Sequence, residues 1–271
     1  MRFGLSLAAL LLLGSCAGRQ QLSVCADPNN LPFSNEARQG FENKLVELIA
    51  ADMDADVHYT WWAQRRGNVR ETLKAGSCDL IPGVAAGLEM LATTRPYYNS
   101  TYVAVTRTDR NLAIASFDDP RLRTLRIGVQ MIGDDFSNTP PAHALAQRGL
   151  TGNVRGYMVY GDYSGPAPQA DIVRAVAAGD IDIAFVWGPV AGYFARTQRV
   201  PLRLTPLPAM DGRSDQPMAF AVAMGVRRGE GELKARLEQS LERRAPEIRR
   251  LLASYSVPVV ASAPRSAEDD D

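Results

Sequence analysis

A chain of 271 residues with 30 Lys+Arg against 30 Asp+Glu carries no formal net charge, which excludes the net basic face expected of a nucleic-acid binder. Hydrophobic residues make up 46% and charged residues 22%, the balance of a folded globular protein rather than a disordered one. This length accommodates one large domain or two lobes of roughly 100–150 residues each, and past the N-terminus no apolar run approaches the ~20 residues that span a bilayer.

Residues 1–15, MRFGLSLAALLLLGS, place Arg2 before an apolar run from Leu5 to Leu13, followed by small residues. The pattern reads as a signal peptide and is too short for a transmembrane helix. Leu13-Gly14-Ser15-Cys16 resembles the bacterial lipobox, which implies a lipidated Cys16 as the mature N-terminus and membrane attachment only through that anchor. Cleavage nearby, for instance after Ala17, would instead leave a free soluble protein. Either route exports the chain to the periplasm. Of three cysteines, Cys25 and Cys78 remain as a pair in an oxidising compartment if Cys16 carries lipid. A disulfide closing that loop would stabilise the fold by about 4 kcal/mol in the chain-entropy account; two buried free thiols are the alternative. The only histidines are His58 and His143, with no CxxC or HxxxH spacing, so no metal site is expected. Residues 261–271 lack apolar periodicity and end in four acids; a disordered acidic tail is expected.

Strands and helices alternate along the body. LSVCADP (Leu22–Pro28) reads as a short strand, and GFENKLVELIAADM as a helix with Phe41, Leu45, Leu48 and Ile49 on one face. YTWWA (Tyr59–Ala63) reads as a strand, GNVRETLKAG as a short helix capped at Gly76, and CDLIPGV (Cys78–Val84) as a strand. TYVAVTR (Thr101–Arg107) and LRIGVQ (Leu125–Gln130) are strand-like. A helix around AHALAQRG, a strand at VRGYMVY, a helix at ADIVRAVAAG and a strand at DIDIAFVW follow. MAFAVAMGV (Met218–Val226) is the last strong strand, before helices carrying Leu233, Leu237 and Leu241, then Ile248, Leu251 and Leu252.

This alternation predicts a doubly wound α/β architecture, in which ligands bind at the carboxyl ends of strands. GxGxxG and P-loop patterns are absent, so no dinucleotide or nucleoside triphosphate site, and no cofactor, is expected.

The order of segments resembles the type II periplasmic solute-binding proteins: Leu31-Pro32-Phe33 after the first strand, Gly40-Phe41 opening a helix, TLKAGSCDLIPG, Arg95–Tyr98 (RPYY), a crossing strand, LRIGVQ and AVAAGDIDIAFVW. The resemblance covers nearly the whole mature chain. It implies a bilobed fold of two doubly wound sheets joined by a two-strand hinge. Lobe one would be 22–105 plus 205–260 and lobe two 106–204, with hinge strands near Tyr102–Arg107 and Leu202–Leu207. It also makes the strands of Cys25 and Cys78 neighbours.

Longer strings are similar to the quinoprotein-dehydrogenase-associated members, the MxaJ/XoxJ-like family: CADPNNLPFSN (Cys25–Asn35), GFENK, YTWWAQRRG (Tyr59–Gly67), TTRPYYNSTYV, IGVQMIGDD (Ile127–Asp135), NTPPAHALA, VYGDY and VWGPVAGYFA. That family accompanies methanol dehydrogenases in the periplasm and implies an accessory role rather than a defined reaction.

Amino-acid-binding relatives clamp a carboxylate with an arginine shortly before the Pro-Tyr pair, as bidentate recognition requires. Here Gly87-Leu88 stand at that place and no arginine occurs from Pro82 to Thr94. Those relatives hold the ammonium with an aspartate after the strand that here ends in Trp187. An amino acid would meet no partner for its charges, a penalty of several kcal/mol. In the second-lobe loop, Met131-Ile132-Gly133-Asp134-Asp135 replaces an anion-binding glycine–threonine loop. Asp134 and Asp135 either face a cationic partner group or cap the following turn.

By analogy, Asp27, Asn30, Phe33, Arg95, Gln130 and Trp187 are expected to face the cleft. Of the adjacent Trp61 and Trp62, one is expected in the core, and the other to give an interaction surface beside Arg65 and Arg66; Trp62 and Arg65 are taken as partner contacts. No catalytic residue is assigned, because no Ser/His/Asp string or metal set supports chemistry. Three functions stand open. One is a non-catalytic accessory protein for a PQQ-dependent methanol or alcohol dehydrogenase, or its cytochrome c, aiding assembly, activation or maturation. Another is an ABC-transporter receptor holding a small neutral or apolar molecule in the cleft. The third is an enzyme on the same fold.

Overall fold

The structure, a computed structural model, describes residues 19–133, 138–160 and 163–261. The expected signal peptide, Cys16, Asp134, Asp135 and residues 262–271 of the acidic tail lie outside the described residues.

The strand Gln20–Ala26 pairs in parallel with Ala55–Trp61 over its whole length, Gln20 opposite Ala55 and Ala26 opposite Trp61. On its other side it meets Leu80–Ala85, also in parallel. Ala219–Val226 then adds antiparallel, followed by Tyr98–Arg107. This last strand crosses between the two halves of the molecule. Tyr98–Thr101 pair with Val222–Ala219, whereas Tyr102–Thr106 pair with Trp187–Ile183. Leu202–Pro206 lies antiparallel to it, Leu202 opposite Arg107 and Pro206 opposite Val103. The second sheet continues in parallel through Ile183–Trp187, Ile127–Met131 and Val154–Met158. The fold is the expected bilobed α/β arrangement, and the two sheets join continuously through one shared strand.

The helix Phe41–Asp52 covers the first sheet, burying Phe41, Leu45, Val46 and Ile49 on a helical spacing. Gly40 precedes it because a Cβ there would stand 1.9 Å from the Phe33 carbonyl oxygen. The Asn43 side chain reaches back to accept from Gly40 N at 3.2 Å, satisfying one of the orphan donors of a helix start. The helices Gly231–Arg243 and Ala245–Ser254 close the same core through Leu237, Leu241, Ile248 and Leu252. The second sheet has apolar packing on both faces, one around Val173, Val176, Val186 and Phe194, the other around Ile114, Leu122, Leu145 and Phe185.

Cys25 and Cys78 form the expected disulfide, with Cα atoms 5.5 Å apart. It packs with Leu73, Ile81 and Leu91 in a small apolar cluster of its own. Closing a loop of 53 residues stabilises the fold by about 4 kcal/mol.

Three local expectations are corrected. The strand expected over Tyr59–Ala63 is Ala55–Trp61, a sheet edge in which Ala55, Val57, Tyr59 and Trp61 alternate with Asp56, His58 and Thr60 at the strand period; the aromatic run at its end set the expected start too late. Only Asn68–Glu71 of the helix expected at GNVRETLKAG is α-helical. Gly67 enters it with φ 87° and Thr72 leaves it at ψ −82°, so the segment turns instead of extending. Conversely, Gly188–Ala195 forms a helix the periodicity did not reveal, because nearly all its residues are buried and no polar face interrupts them.

Candidate functional site between the lobes

A cavity of about 340 Å³ lies between the two sheets, walled by Phe33, Tyr102, Tyr160, Trp187 and Phe220, with Asn30, Gln64, Gln130 and Gln169 as its polar groups. Strand ends position them. Gln130 and Trp187 stand at the carboxyl ends of parallel neighbours, where open α/β sheets place ligands. The Gln130 side chain accepts from the Trp187 backbone N–H at 2.8 Å, and its carbonyl accepts from Thr139 Oγ1 at 2.6 Å. Trp187 packs edge-on against Tyr102 and Phe220, with centroids 5.3 Å and 5.9 Å away.

Asp27 is buried in the turn after the first strand. It accepts from Asn29 N at 2.8 Å, Gln64 N at 2.6 Å and Tyr163 Oη at 2.5 Å. Asn30 receives Gln169 Nε2 and donates to Gln64 Oε1 at 3.0 Å. Asn29 donates to the Gly165 carbonyl at 2.7 Å and accepts from Ala167 N at 3.2 Å. These contacts tie one turn of the first lobe to the segment 163–169 of the second. Burial and the bond to Asp27 push the Tyr163 phenol well above its ordinary range.

A second cavity, of about 180 Å³, shares Phe33, Gln64, Ala85 and Trp187 with the first and continues to Glu42, Gly83 and Tyr98. Burial, and secondarily the charge of Asp27, pushes the Glu42 carboxyl up to about 8.

Asn30, Phe33, Gln130 and Trp187 thus stand together on the cavity wall, and Asp27 braces its rim from beneath. Arg95 departs from the expectation. It lines a different groove, beside Tyr97, Leu241 and Ile248, where its guanidinium meets Glu242 at 3.1 Å and its backbone N–H meets Glu238 at 2.9 Å. Trp62 is 47% exposed and does not line the cavity. Trp61 stacks on Tyr59 at 4.6 Å, and neither indole enters a core cluster, because both follow from an edge strand. Arg65 is exposed, with its guanidinium 4.8 Å from the Tyr163 ring centre. Sequence reasoning missed Gln64, Tyr102, Tyr160, Gln169 and Phe220: Tyr102 stands on the crossing strand, Phe220 on Ala219–Val226, Gln169 in a single 3-10 turn, and Gln64 and Tyr160 in connections. It also missed Glu42, whose spacing with Leu45, Val46 and Ile49 was the available signal. Among the described residues no cluster of three or more His, Cys, Asp and Glu is arranged for a metal ion.

Two lobes, a shared crossing strand and an interlobe cavity at strand carboxyl ends define a bilobed binding protein. The sequence profile of the bacterial extracellular solute-binding proteins, family 3, matches residues 22–255. The chain belongs to that family, and within it is a MxaJ/XoxJ-like type II periplasmic binding protein. It is 32% identical over 252 residues to protein MoxJ of Methylorubrum extorquens, covering 88% of this chain and 81% of the relative. The crystal structure of the periplasmic binding protein XoxJ from Methylobacterium extorquens AM1 is similar, with 35% identity and a TM-score of 0.73, over 89% of this chain and all of that one. MxaJ from Methlophaga aminisulfidivorans MPT matches with 26% identity and a TM-score of 0.74, over 88% of this chain and all of that one. The family and these relatives place the chain in the periplasm.

Proposed function

We propose that this chain is a non-catalytic accessory protein of a PQQ-dependent methanol or alcohol dehydrogenase system, aiding its assembly, activation or maturation. The observation that carries this reading is the interlobe cavity. In a chain similar along most of its length to MoxJ, XoxJ and MxaJ, the cavity is aromatic, and among the described residues its lining contains no Lys, Arg or His to clamp a carboxylate. Trp62, exposed beside Arg65 and Arg66, offers an aromatic anchor with charged surroundings, the composition of a binding hot spot. The partner is the periplasmic dehydrogenase or its cytochrome c, and lipidation at Cys16 would hold the protein at the membrane. The two lobes, 22–105 with 205–260 and 106–204, adjust about the crossing strands.

The test is titration of the purified protein against the dehydrogenase of the same periplasm, in apo and cofactor-loaded forms. Association in the micromolar range is expected, roughly −8 kcal/mol, weakened by added salt. Trp62→Ala should weaken it by about 1–2 kcal/mol. Absence of association with either form would reject the reading. The cavity volume favours a second one, a transport receptor for a small molecule that is not an amino acid. A small molecule retained through purification, without dehydrogenase binding, would select it.

A further inference from the structure

Glu42 has no part in the contacts described so far. Its helix stands in the first lobe and its carboxyl enters the 180 Å³ cavity that continues the main one. Gly83 makes the room, since a Cβ at that position would stand 2.0 Å from Glu42 Oε1. Among the described residues no group hydrogen-bonds this carboxyl, although the residue is only 7% exposed. The sealed side-chain polar atoms without a partner among the described residues are Asn43 Nδ2 and Tyr157 Oη, so the Glu42 oxygens open to the cavity, where burial still disfavours a charge that nothing balances.

Among the described residues, the titratable groups that act on it carry no compensating charge. Asp27 faces it from the turn after the first strand, Tyr59 from the edge strand, Tyr98 from the start of the crossing strand and Tyr97 from just before it. Tyr97 Oη donates instead to the Pro82 carbonyl at 3.0 Å, and Tyr59 Oη to the Asn43 carbonyl at 3.4 Å. Among the described residues neither cavity is lined by a Lys, Arg or His. Phe33, Tyr98 and Trp187 share the lining with Glu42, and aromatic faces attract cations. Acid and aromatic groups without a competing base select positive charge and reject negative charge.

We propose that the Glu42 end of the cleft is a cation site, with the Glu42 carboxylate as counter-ion to the ammonium group of a small organic amine whose apolar part lies against Phe33, Tyr98 and Trp187. The inference rests on the cleft being a ligand site and is independent of any contact with a dehydrogenase. Binding is non-covalent. Below pH 8 the Glu42 carboxyl gives its proton to solvent as the ammonium ion enters, so one proton leaves per ligand bound.

Calorimetric titration of the mature protein with isobutylammonium, isobutanol and isobutyrate, of similar size and different charge, tests this at pH 6, 7 and 8. The ammonium ion is expected to bind, the alcohol at least ~10-fold more weakly and the carboxylate not at all. Its affinity should rise about tenfold per pH unit up to pH 8. At pH 7, buffers of different ionisation heat should report about one proton released per amine, a readout that needs no variant. Glu42→Gln, verified folded by circular dichroism, should lose ~10-fold or more in amine affinity together with the pH dependence. Equal binding of alcohol and amine, or a folded Glu42→Gln with unchanged affinity, would overturn the ion pair while leaving a ligand site. Failure of all three probes would overturn the proposal, and dehydrogenase association measured on the same preparation would stand or fall separately.

Discussion

Tyr163 Oη donates to Asp27 Oδ2 at 2.5 Å, and the two residues belong to different lobes. Asp27 holds the bond in place by taking the backbone N–H groups of Asn29 and Gln64 on its remaining lone pairs. With Gln169 on Asn30, and Asn29 on Gly165 and Ala167, the lobes are latched along one rim of the cavity. The aromatic wall lies on the inner side of that rim, so access to it depends on how firmly the latch holds.

Tyr163→Phe removes one bond to a carboxylate without changing the ring that Arg65 covers. Such bonds are worth about 1.5–3 kcal/mol when buried, and Tyr163 is only half-buried. The expected loss is therefore about 1–2 kcal/mol in urea unfolding. Amide exchange should accelerate over residues 163–169, which the latch immobilises, and stay unchanged in the strand Gln20–Ala26. Equal exchange in both proteins would show that the latch does not govern opening.

Much of this arrangement was legible in the sequence, and the reasons it stops are physical. Val24, Ile127, Phe185 and Met224 announce buried strands because a two-sided sheet needs continuous apolar runs. Trp187 at a strand end could be placed in the cleft by that rule alone. The edge strand Ala55–Trp61 begins four residues before the expected Tyr59, because the aromatic run Tyr59–Trp62 is a louder signal than Ala55 and Val57 alternating with Asp56 and His58. Arg95 was assigned to the cleft because sequence order cannot show which face of a strand junction meets Glu242. Glu42 was overlooked for a different reason. An acid in the first turn of a helix is ordinarily explained by the helix dipole, and its burial depends on Gly83, forty-one residues along the chain.

Glu42 should leave a signature in stability against pH. Its folded carboxyl titrates near 8 against an ordinary value of 4.5. The folded state therefore keeps a proton that the unfolded chain releases. Stability from this group is complete below pH 4.5 and is lost as pH rises toward 8, by on the order of 4–5 kcal/mol in all. Glu42→Gln does not titrate. The variant should be more stable than the wild type at pH 8, with the gap closing toward pH 5, as read from urea midpoints at several pH values. A gap independent of pH would show that the carboxyl is not protonated in the folded protein.

Arg148 is the one arginine described here that lies within the protein with two acidic partners at bonding distance. Its side chain is 4% exposed and that of Asp211 is 7% exposed, with a 2.7 Å contact between them. It also meets Asp118 at 2.9 Å and stands over the Phe117 ring. Removing one partner of a buried pair leaves the other charge uncompensated. Arg148→Ala should cost about 3–5 kcal/mol, whereas Asp118→Asn, whose partner keeps Asp211, should cost less than half as much. Chemical denaturation of the two variants decides it, and similar losses would mean that the exposed Asp118 contact is the stronger one.

The cavity should also refuse standard amino acids. A bound α-amino acid would bring its carboxylate into a space that holds Glu42 and, among the described residues, is lined by no Lys, Arg or His. Asp27 adds negative charge nearby. An unpaired carboxylate taken from water into such a site costs several kcal/mol, which is enough to turn a micromolar ligand into one that does not bind at millimolar concentration. Isothermal titration with each of the standard amino acids should give no heat of binding, arginine and lysine included, because their side-chain cations still bring an α-carboxylate with them. Their decarboxylated counterparts, which keep the amine and lose the carboxylate, isolate that one group. Stoichiometric heat with any intact amino acid would place a carboxylate partner in the cleft that the lining residues do not provide.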